Sequence, residues 1–185
     1  MMNDIAAELA KLHELTGADF SRQVEHIAQM RVFHPVEGEV GIYSVGSEHD
    51  KDYNNQIRAA HKLLKNGYRV FLLPNPKNGR TPDMIIERKG NYKIYDLKTI
   101  TGETSAINRL KESIGQCNQV IMNMATNYDA RQLGKDIRQF FVLNPNAIEV
   151  MILKGGRQII IKRGYALNPN YVKVFMMRYN KKKSR

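Results

Sequence analysis

The sequence predicts an α/β fold with a mixed central sheet in a single domain, residues 1–185. Three observations support this prediction. A chain of 185 residues is about one domain long, helical and strand-like apolar patterns alternate along it, and Gly, Pro and Asn separate most of the patterned segments. The unbroken apolar runs, such as 70–73 and 159–161, have only the length of strands. The sequence therefore excludes a membrane-spanning helix.

The N-terminal segment, residues 1–50, predicts a helical cap. Apolar residues recur at helical spacing over residues 3–15, and a second short helix is expected over residues 19–30. Pro35 breaks this pattern, and residues 40–45 predict a strand or an ordered loop.

Residues 53–124 predict the central part of the fold. In chain order the expected elements are a helix at 53–66, a strand at 68–73, hairpin strands at 83–87 and 92–98, a helix at 105–114 and a strand at 118–124. Gly67 supplies the left-handed residue that ends the first helix. The predicted order is α-β-β-β-α-β.

The remaining segment, residues 125–185, predicts a helix followed by a C-terminal basic β-hairpin extension. The expected elements are a helix at 129–141, strands at 149–153 and 158–162 that flank a Gly-Gly turn, and a last strand at 171–176. A charged tail ends the chain.

The positive charge of the chain is concentrated in its last fifth. The net charge is +11, and ten of the 29 Lys and Arg residues but none of the 18 Asp and Glu residues lie between Val150 and Arg185. Clustered cations bind polyanions because they release the counterions that phosphates condense. This distribution favours a nucleic-acid partner over a membrane surface. The expected contacts are Arg157, Lys162, Arg163 and Lys173.

Two tyrosines, Tyr165 and Tyr171, stand among these cations and are candidates to stack on unpaired bases. The run of three lysines at 181–183 is either a solvated tail or a further contact to nucleic acid.

Two acidic residues and a lysine mark the strands of the central hairpin. Asp96 and Lys98 share one strand face, while Leu97 points into the core. Asp83 begins the antiparallel partner strand, so the three residues are expected to converge at one sheet edge. Paired carboxylates typically hold Mg²⁺, and a lysine beside the metal can stabilise charge on phosphorus or activate a water. The pattern favours phosphodiester hydrolysis.

The arrangement Pro82-Asp83, twelve intervening residues and then Asp96-Leu97-Lys98 resembles the PD-(D/E)xK nuclease superfamily over residues 53–124. The resemblance implies a restriction-endonuclease-like core and a divalent cation, Mg²⁺ or another such as Mn²⁺. It implies Asp83 and Asp96 as metal ligands and Lys98 as the residue that positions or activates the nucleophilic water.

Two further site residues follow from the same resemblance. The downstream helix of the superfamily often carries a glutamine that faces the metal, and Gln116 is the matching residue. An acid on the first core helix is also common, but that helix has none here, and Glu48 upstream is the candidate third ligand.

Within the superfamily, residues 67–70, 78–83 and 95–102 are similar to the C-terminal nuclease domains of bacterial contact-dependent growth-inhibition toxins. This likeness implies a metal-dependent endonuclease that cleaves tRNA in the bacterial cytoplasm after delivery as part of a larger secreted protein, and an acidic immunity protein that blocks it. Two alternatives stay open: a DNA endonuclease of the same fold, from restriction, repair or a mobile element, and a catalytically silent basic domain that binds nucleic acid.

Other chemistry-bearing residues are scattered. A second acidic-x-Lys sequence, Glu87-Arg88-Lys89, falls at the hairpin turn, where charged residues are expected to be solvated. The histidines lack zinc-site spacing, although His49 and His61 flank the core helix and offer a metal-free ribonuclease pair as an alternative. Cys117 is expected to be packed, with no base evident beside it.

Overall fold

The computed structural model describes residues 2–46, 52–74 and 81–181, without the side chains of residues 2 and 3. The chain divides into two compact units, Met1–Tyr95 and Asp96–Arg185. Helices and strands alternate in both, which confirms the predicted mixed α/β fold. No helix in the described ranges is long and apolar enough to cross a membrane. That all 185 residues serve one nuclease domain stays a prediction.

In its described residues, the first unit contains three α-helices and the strands that follow them. Its elements are α1 (Met2–Lys11) with a short 3₁₀ turn after it (Leu12–Glu14), α2 (Gly17–Gln29), β1 (His34–Pro35), β2 (Ile42–Ser44), α3 (Tyr53–Leu64), β3 (Arg69–Leu72), β4 (Met84–Arg88) and the first half of β5 (Asn91–Ile100). The predicted helical cap corresponds to α1 and α2. Pro35, expected only to break the pattern, lies in a short strand.

The strands of this unit pair in chain order. β2 is parallel to β3, and the other neighbouring pairs are antiparallel. Gly67, at φ 81°, ends the α3 segment as predicted, because only glycine adopts this backbone without strain. The hairpin between β4 and β5 turns through Lys89 and Gly90, both with positive φ, as a type I′ turn requires.

Over its described residues, which end at 181, the second unit contains a mixed sheet and four helices. Its elements are the second half of β5, α4 (Ala106–Lys111), β6 (Gln119–Met124), α5 (Ala130–Leu143), β7 (Glu149–Lys154), β8 (Arg157–Lys162), α6 (Arg163–Ala166) and α7 (Tyr171–Asn180). β5, β6 and β7 are parallel, and β8 returns antiparallel to β7. Over residues 53–124 the observed order of elements is α-β-β-β-α-β, as predicted.

The core of the second unit lies between the sheet and helices α4, α5 and α7. It is built from buried aliphatic side chains of β5 to β8 and aromatic side chains of α5 and α7. Gly134 of α5 allows close packing, because a Cβ atom there would lie 2.9 Å from the ring of Phe175 in α7.

The prediction of a strand at 171–176 is wrong. These residues begin α7, whose buried side chains Tyr171, Phe175 and Tyr179 recur every fourth residue. The β-propensity of the run Tyr-Val-Lys-Val-Phe misled the prediction, whereas packing of one helical face decided the structure. The short helix α6 was not predicted.

Candidate active site

Asp96 and Lys98 form a buried ion pair on β5. The Lys98 Nζ atom lies 3.0 Å from Asp96 Oδ2, and the side chains are 11% and 1% exposed, respectively. The period of two along a strand places them on one face, next to their register partners Val120 and Met122 of β6. The structure therefore brings together the two residues that the sequence paired.

The environment of this pair differs from the expectation. Leu97 is buried on the opposite face, as predicted, but the face of Asp96 and Lys98 is also covered. Ile100 follows on that face and belongs to the same core cluster as Val120 and Met122. Because both charges have left bulk water, each depends on the other and on further polar partners for compensation.

Asp83 lies directly before β4 in the first unit and is partly buried. Its amide donates to the carbonyl of Tyr95 over 3.0 Å, and its carbonyl accepts from the amide of Leu73 over 2.9 Å. These bonds hold the residue in extended conformation at the start of the strand, where the sequence placed it. Its role as a metal ligand stays a prediction.

The other two predicted site residues are Gln116 and Glu48. Gln116 follows α4, and its carboxamide donates to the carbonyl of Glu112 over 2.7 Å, so one of its polar groups serves the end of the helix. Glu48 lies outside the described residues. In the part of the chain that the structure describes, no three His, Cys, Asp or Glu side chains cluster as a metal site.

Two of the four residues expected to contact nucleic acid form hydrogen bonds within the protein instead. Arg163 donates to the carbonyls of Phe141 and Asn144 over 2.7 and 3.0 Å, at the C-terminus of α5. Arg157 donates to the carbonyls of Arg178 and Tyr179 over 3.3 and 3.0 Å, at the C-terminus of α7. Cations at helix C-termini stabilise the last unpaired carbonyls and the helix dipole.

The remaining two, Lys162 and Lys173, are exposed. Part of the charge surplus of the last fifth thus caps helices, while these lysines are available to a polyanion. Binding of nucleic acid by all four residues stays a prediction.

The expected stacking role of Tyr171 does not fit the structure. The ring is fully buried and meets Tyr165 edge to face, with centroids 5.1 Å apart. Burial raises the pKa of the Tyr171 hydroxyl, so it stays neutral. Packing of α7, rather than contact with bases, explains this residue.

The second acidic-x-Lys sequence is not simply solvated. Glu87 is buried, and its carboxylate accepts from Arg69 Nε over 2.7 Å and from the amide of Gly90 over 2.6 Å. Burial of Glu87 is not evident from the sequence, since the pattern that reveals it is the register of Arg69 opposite Glu87 across β3 and β4. Of the two histidines weighed as a ribonuclease pair, His61 contacts Glu39 over 2.7 Å and His49 lies outside the described residues.

Comparison with known proteins yields one finding at the level of structure. No protein-family model matches the chain, and no curated protein matches its sequence. Similar solved structures include a CdiA-CT/CdiI toxin and immunity complex from Burkholderia pseudomallei, with a TM-score of 0.42, 20% identity, and coverage of 60% of this chain and 85% of that chain. At these values the likeness assigns no role to any residue.

Proposed function

We propose that the chain is a metal-dependent endonuclease that hydrolyses phosphodiester bonds, and that its substrate is tRNA. The observation that carries the proposal is the buried Asp96–Lys98 pair, 3.0 Å apart, on the third strand of an α-β-β-β-α-β order of elements. An acid and a lysine two positions apart on one strand face form the second half of the PD-(D/E)xK pattern. An ion pair that only contributed charge to the protein surface would be exposed to solvent, whereas this pair is buried.

The chemistry assigned to these residues is hydrolysis by an attacking water. The water oxygen forms a new bond to phosphorus, the bond from phosphorus to the leaving oxygen breaks, and the water proton passes to solvent or to a neighbouring group. Lys98 would hold the water or stabilise the negative charge that develops on the phosphoryl oxygens. Asp96 fixes the position of the Lys98 ammonium through their ion pair.

The donor set is compatible with Mg²⁺. A protein commonly binds this ion through one or two carboxylates, with waters and substrate phosphate completing the coordination, so a cluster of three acids is not needed. Asp96 offers a buried carboxylate, and the sequence adds Asp83 as the second and Glu48 as the third candidate ligand. When bound, the ion would neutralise charge on the phosphate and lower the pKa of a bound water.

The choice of tRNA and the biological role rest on the sequence resemblance. Similarity of residues 67–70, 78–83 and 95–102 to growth-inhibition toxin domains supports a toxin domain that acts in the cytoplasm of a target bacterium. An acidic immunity protein would neutralise it. The exposed lysines Lys162 and Lys173 are the cations that we assign to the tRNA backbone.

The test is a cleavage assay with total tRNA and with plasmid DNA, each in Mg²⁺ and in EDTA. Asp96→Asn and Lys98→Met keep the approximate shape of the side chains and should abolish cleavage. Asp19→Ala, which removes an exposed ion pair with Arg22 in α2, is the matched control and should cleave like the wild type. Circular dichroism of each variant establishes that it is folded.

Each outcome of the assay decides between candidates. Cleavage of tRNA that requires Mg²⁺ and both site residues supports the proposal. Cleavage of plasmid DNA alone would replace it with a DNA endonuclease of the same fold, and salt-sensitive binding without cleavage of either substrate would leave a silent binding domain. Growth arrest on expression that requires Asp96 would support the toxin role, and growth unaffected by active protein would contradict it.

A further inference from the structure

Aromatic side chains and one arginine form a row across the sheet of the first unit. Tyr43 of β2 stacks on Phe71 of β3, with ring centroids 5.0 Å apart and planes 16° from parallel. Tyr92 of β5 lies 6.4 Å from Phe71 on the other side. Phe71 is buried, whereas Tyr43 and Tyr92 are only partly buried. The row therefore presents the rings at its two ends to solvent.

Arg69 is fixed within this row. Its Cζ atom lies 5.7 Å from the centre of the Phe71 ring, and its Nε donates to Glu87. Hydrogen bonding with Glu87 raises the pKa of Arg69, so the guanidinium keeps its charge. Its side chain is 49% exposed while that of Glu87 is 10% exposed. The planar guanidinium of Arg69 is thus held in place by Glu87 and remains partly exposed to solvent.

The row lies on the strand face that carries Asp83. Alternation along β4 puts Asp83, Ile85 and Glu87 on one face, and the stacking of Tyr43 on Phe71, the register partner of Ile85, identifies the same face. Asp83 and Glu87 are four positions apart, or about 13 Å along an extended chain. A single strand of a few nucleotides can span this distance.

The charge balance indicates which part of a nucleotide would bind here. The Arg69 guanidinium is already paired with the Glu87 carboxylate, so this point of the sheet has little net charge to attract a phosphate. Bases, in contrast, stack on aromatic rings and on arginine planes whatever their identity. Ring and guanidinium surfaces that are rigid before binding cost little entropy when a base joins them.

We propose that Tyr92 and Arg69 form a subsite for an unpaired nucleobase of the RNA substrate. This inference rests on the proposed nuclease function and deepens it, since it names single-stranded segments as the form of RNA that is bound. It also moves base recognition from Tyr171, which is buried, to the unit that contains Asp83.

The absence of tryptophan from the chain permits a direct test. Tyr92→Trp introduces a single tryptophan whose fluorescence a stacked base quenches. The probe is a six-nucleotide oligoadenylate RNA in EDTA, with Asp96→Asn as background, so that no cleavage occurs. We expect saturable quenching by the oligoadenylate and none by inorganic polyphosphate, which has charge but no bases.

The matched control is Tyr68→Trp. Tyr68 also pairs with an arginine, Arg88, whose Cζ lies 5.4 Å from its ring, but Arg88 follows Glu87 and so lies on the opposite strand face. The tryptophan fluorescence of the Tyr68→Trp variant should not be quenched by the oligoadenylate. Equal quenching of the two reporters, or quenching by polyphosphate alone, would overturn the proposal.

Affinity provides the second measurement. Tyr92→Leu should weaken binding of the oligoadenylate by about 5-fold or more, and Tyr92→Phe should restore it, because stacking requires the ring and not the hydroxyl. Thermal unfolding shows whether each variant is folded. A folded Tyr92→Leu protein that binds like the wild type would contradict the subsite. Because binding is measured without catalysis, loss of the subsite and failure of the nuclease proposal give different results.

Discussion

The Lys98 ammonium lies 3.0 Å from the Asp96 carboxylate, with the Asp96 side chain 1% exposed. Removal of a carboxylate from water costs several kcal/mol, which a well-placed cation offsets. The residue that we assign to the reacting water is therefore also a counter-ion of the proposed metal ligand. Because Lys98 has both a proposed role in catalysis and a role in charge compensation, we expect stability and activity to respond differently to substitutions of the pair.

Lys98→Met should destabilise the protein by ~3 kcal/mol or more in EDTA, because it leaves the Asp96 carboxylate buried without this cation. The double variant Asp96→Asn/Lys98→Met removes both charges and should recover at least half of the loss, although it is inactive. Urea unfolding of the wild type and the variants gives the free energies. If Lys98→Met is as stable as the wild type, the pair contributes nothing to compensation of the buried charge.

In the last fifth of the chain, basic residues that cap helix C-termini should contribute more to the free energy of unfolding than exposed lysines do. Arg163→Met removes two hydrogen bonds to the C-terminus of α5 and should lower the free energy of unfolding by ~1–3 kcal/mol. Lys173→Met, at an exposed position, should change it by less than ~0.5 kcal/mol.

Binding of tRNA should show the reverse pattern. Lys173→Met should reduce the slope of log affinity against log salt by about 1, whereas Arg163→Met should leave the slope unchanged. Titrations at four salt concentrations in EDTA measure it. A smaller slope of log affinity against log salt for Arg163→Met than for Lys173→Met would show that Arg163 contacts the nucleic acid.

Elements in the central part of the chain could be predicted because local signals agree there. The Lys89-Gly90 turn, the glycine at 67 and alternating apolar residues all specify the same strands and helix ends. The segment 171–176 shows the limit of this approach, because β-prone residues there lie on a helix. The fourth-residue spacing of Tyr171, Phe175 and Tyr179 was the available signal, but burial of that face depends on its packing in the core of the second unit, where Gly134 of α5 leaves space for Phe175.

In the candidate site, too, some features could be predicted from local sequence and others depend on contacts between distant residues. The pairing of Asp96 with Lys98 follows from the period of a strand, so the sequence was enough to predict it. Burial of Glu87 was not predictable, since it depends on the register that brings Arg69 opposite it across two strands. Capping of helix ends by Arg157 and Arg163 likewise depends on contacts between residues far apart in the chain.

Glu87 predicts an acid-sensitive contribution to stability. Burial alone would raise its pKa, but hydrogen bonds from Arg69 and the Gly90 amide outweigh this and lower the pKa. A carboxyl whose pKa is lower in the folded state stabilises above its unfolded pKa, about 4.3, and loses this contribution as the pH falls through the folded pKa.

Comparison with Glu87→Gln isolates the effect. The variant should be less stable than the wild type near pH 6, and the difference should shrink steadily toward about pH 3. Urea unfolding across this range measures it. A difference that stays constant with pH would show that Glu87 contributes by packing and not by its charge.

Gly134→Ala should destabilise the second unit, although alanine is favoured over glycine within helices by ~1 kcal/mol. The added Cβ would lie 2.9 Å from the ring of Phe175, which is fully buried and cannot move aside without disturbing the packing of α7 on α5. Thermal unfolding should show a lower Tm for Gly134→Ala, and Phe175→Leu in the same chain should recover part of the loss by making space. Gly164→Ala, with no atom within 4 Å of the new Cβ, is the matched control and should not lower the Tm. A Gly134→Ala protein with an unchanged or raised Tm would mean that α7 does not pack on α5 this closely.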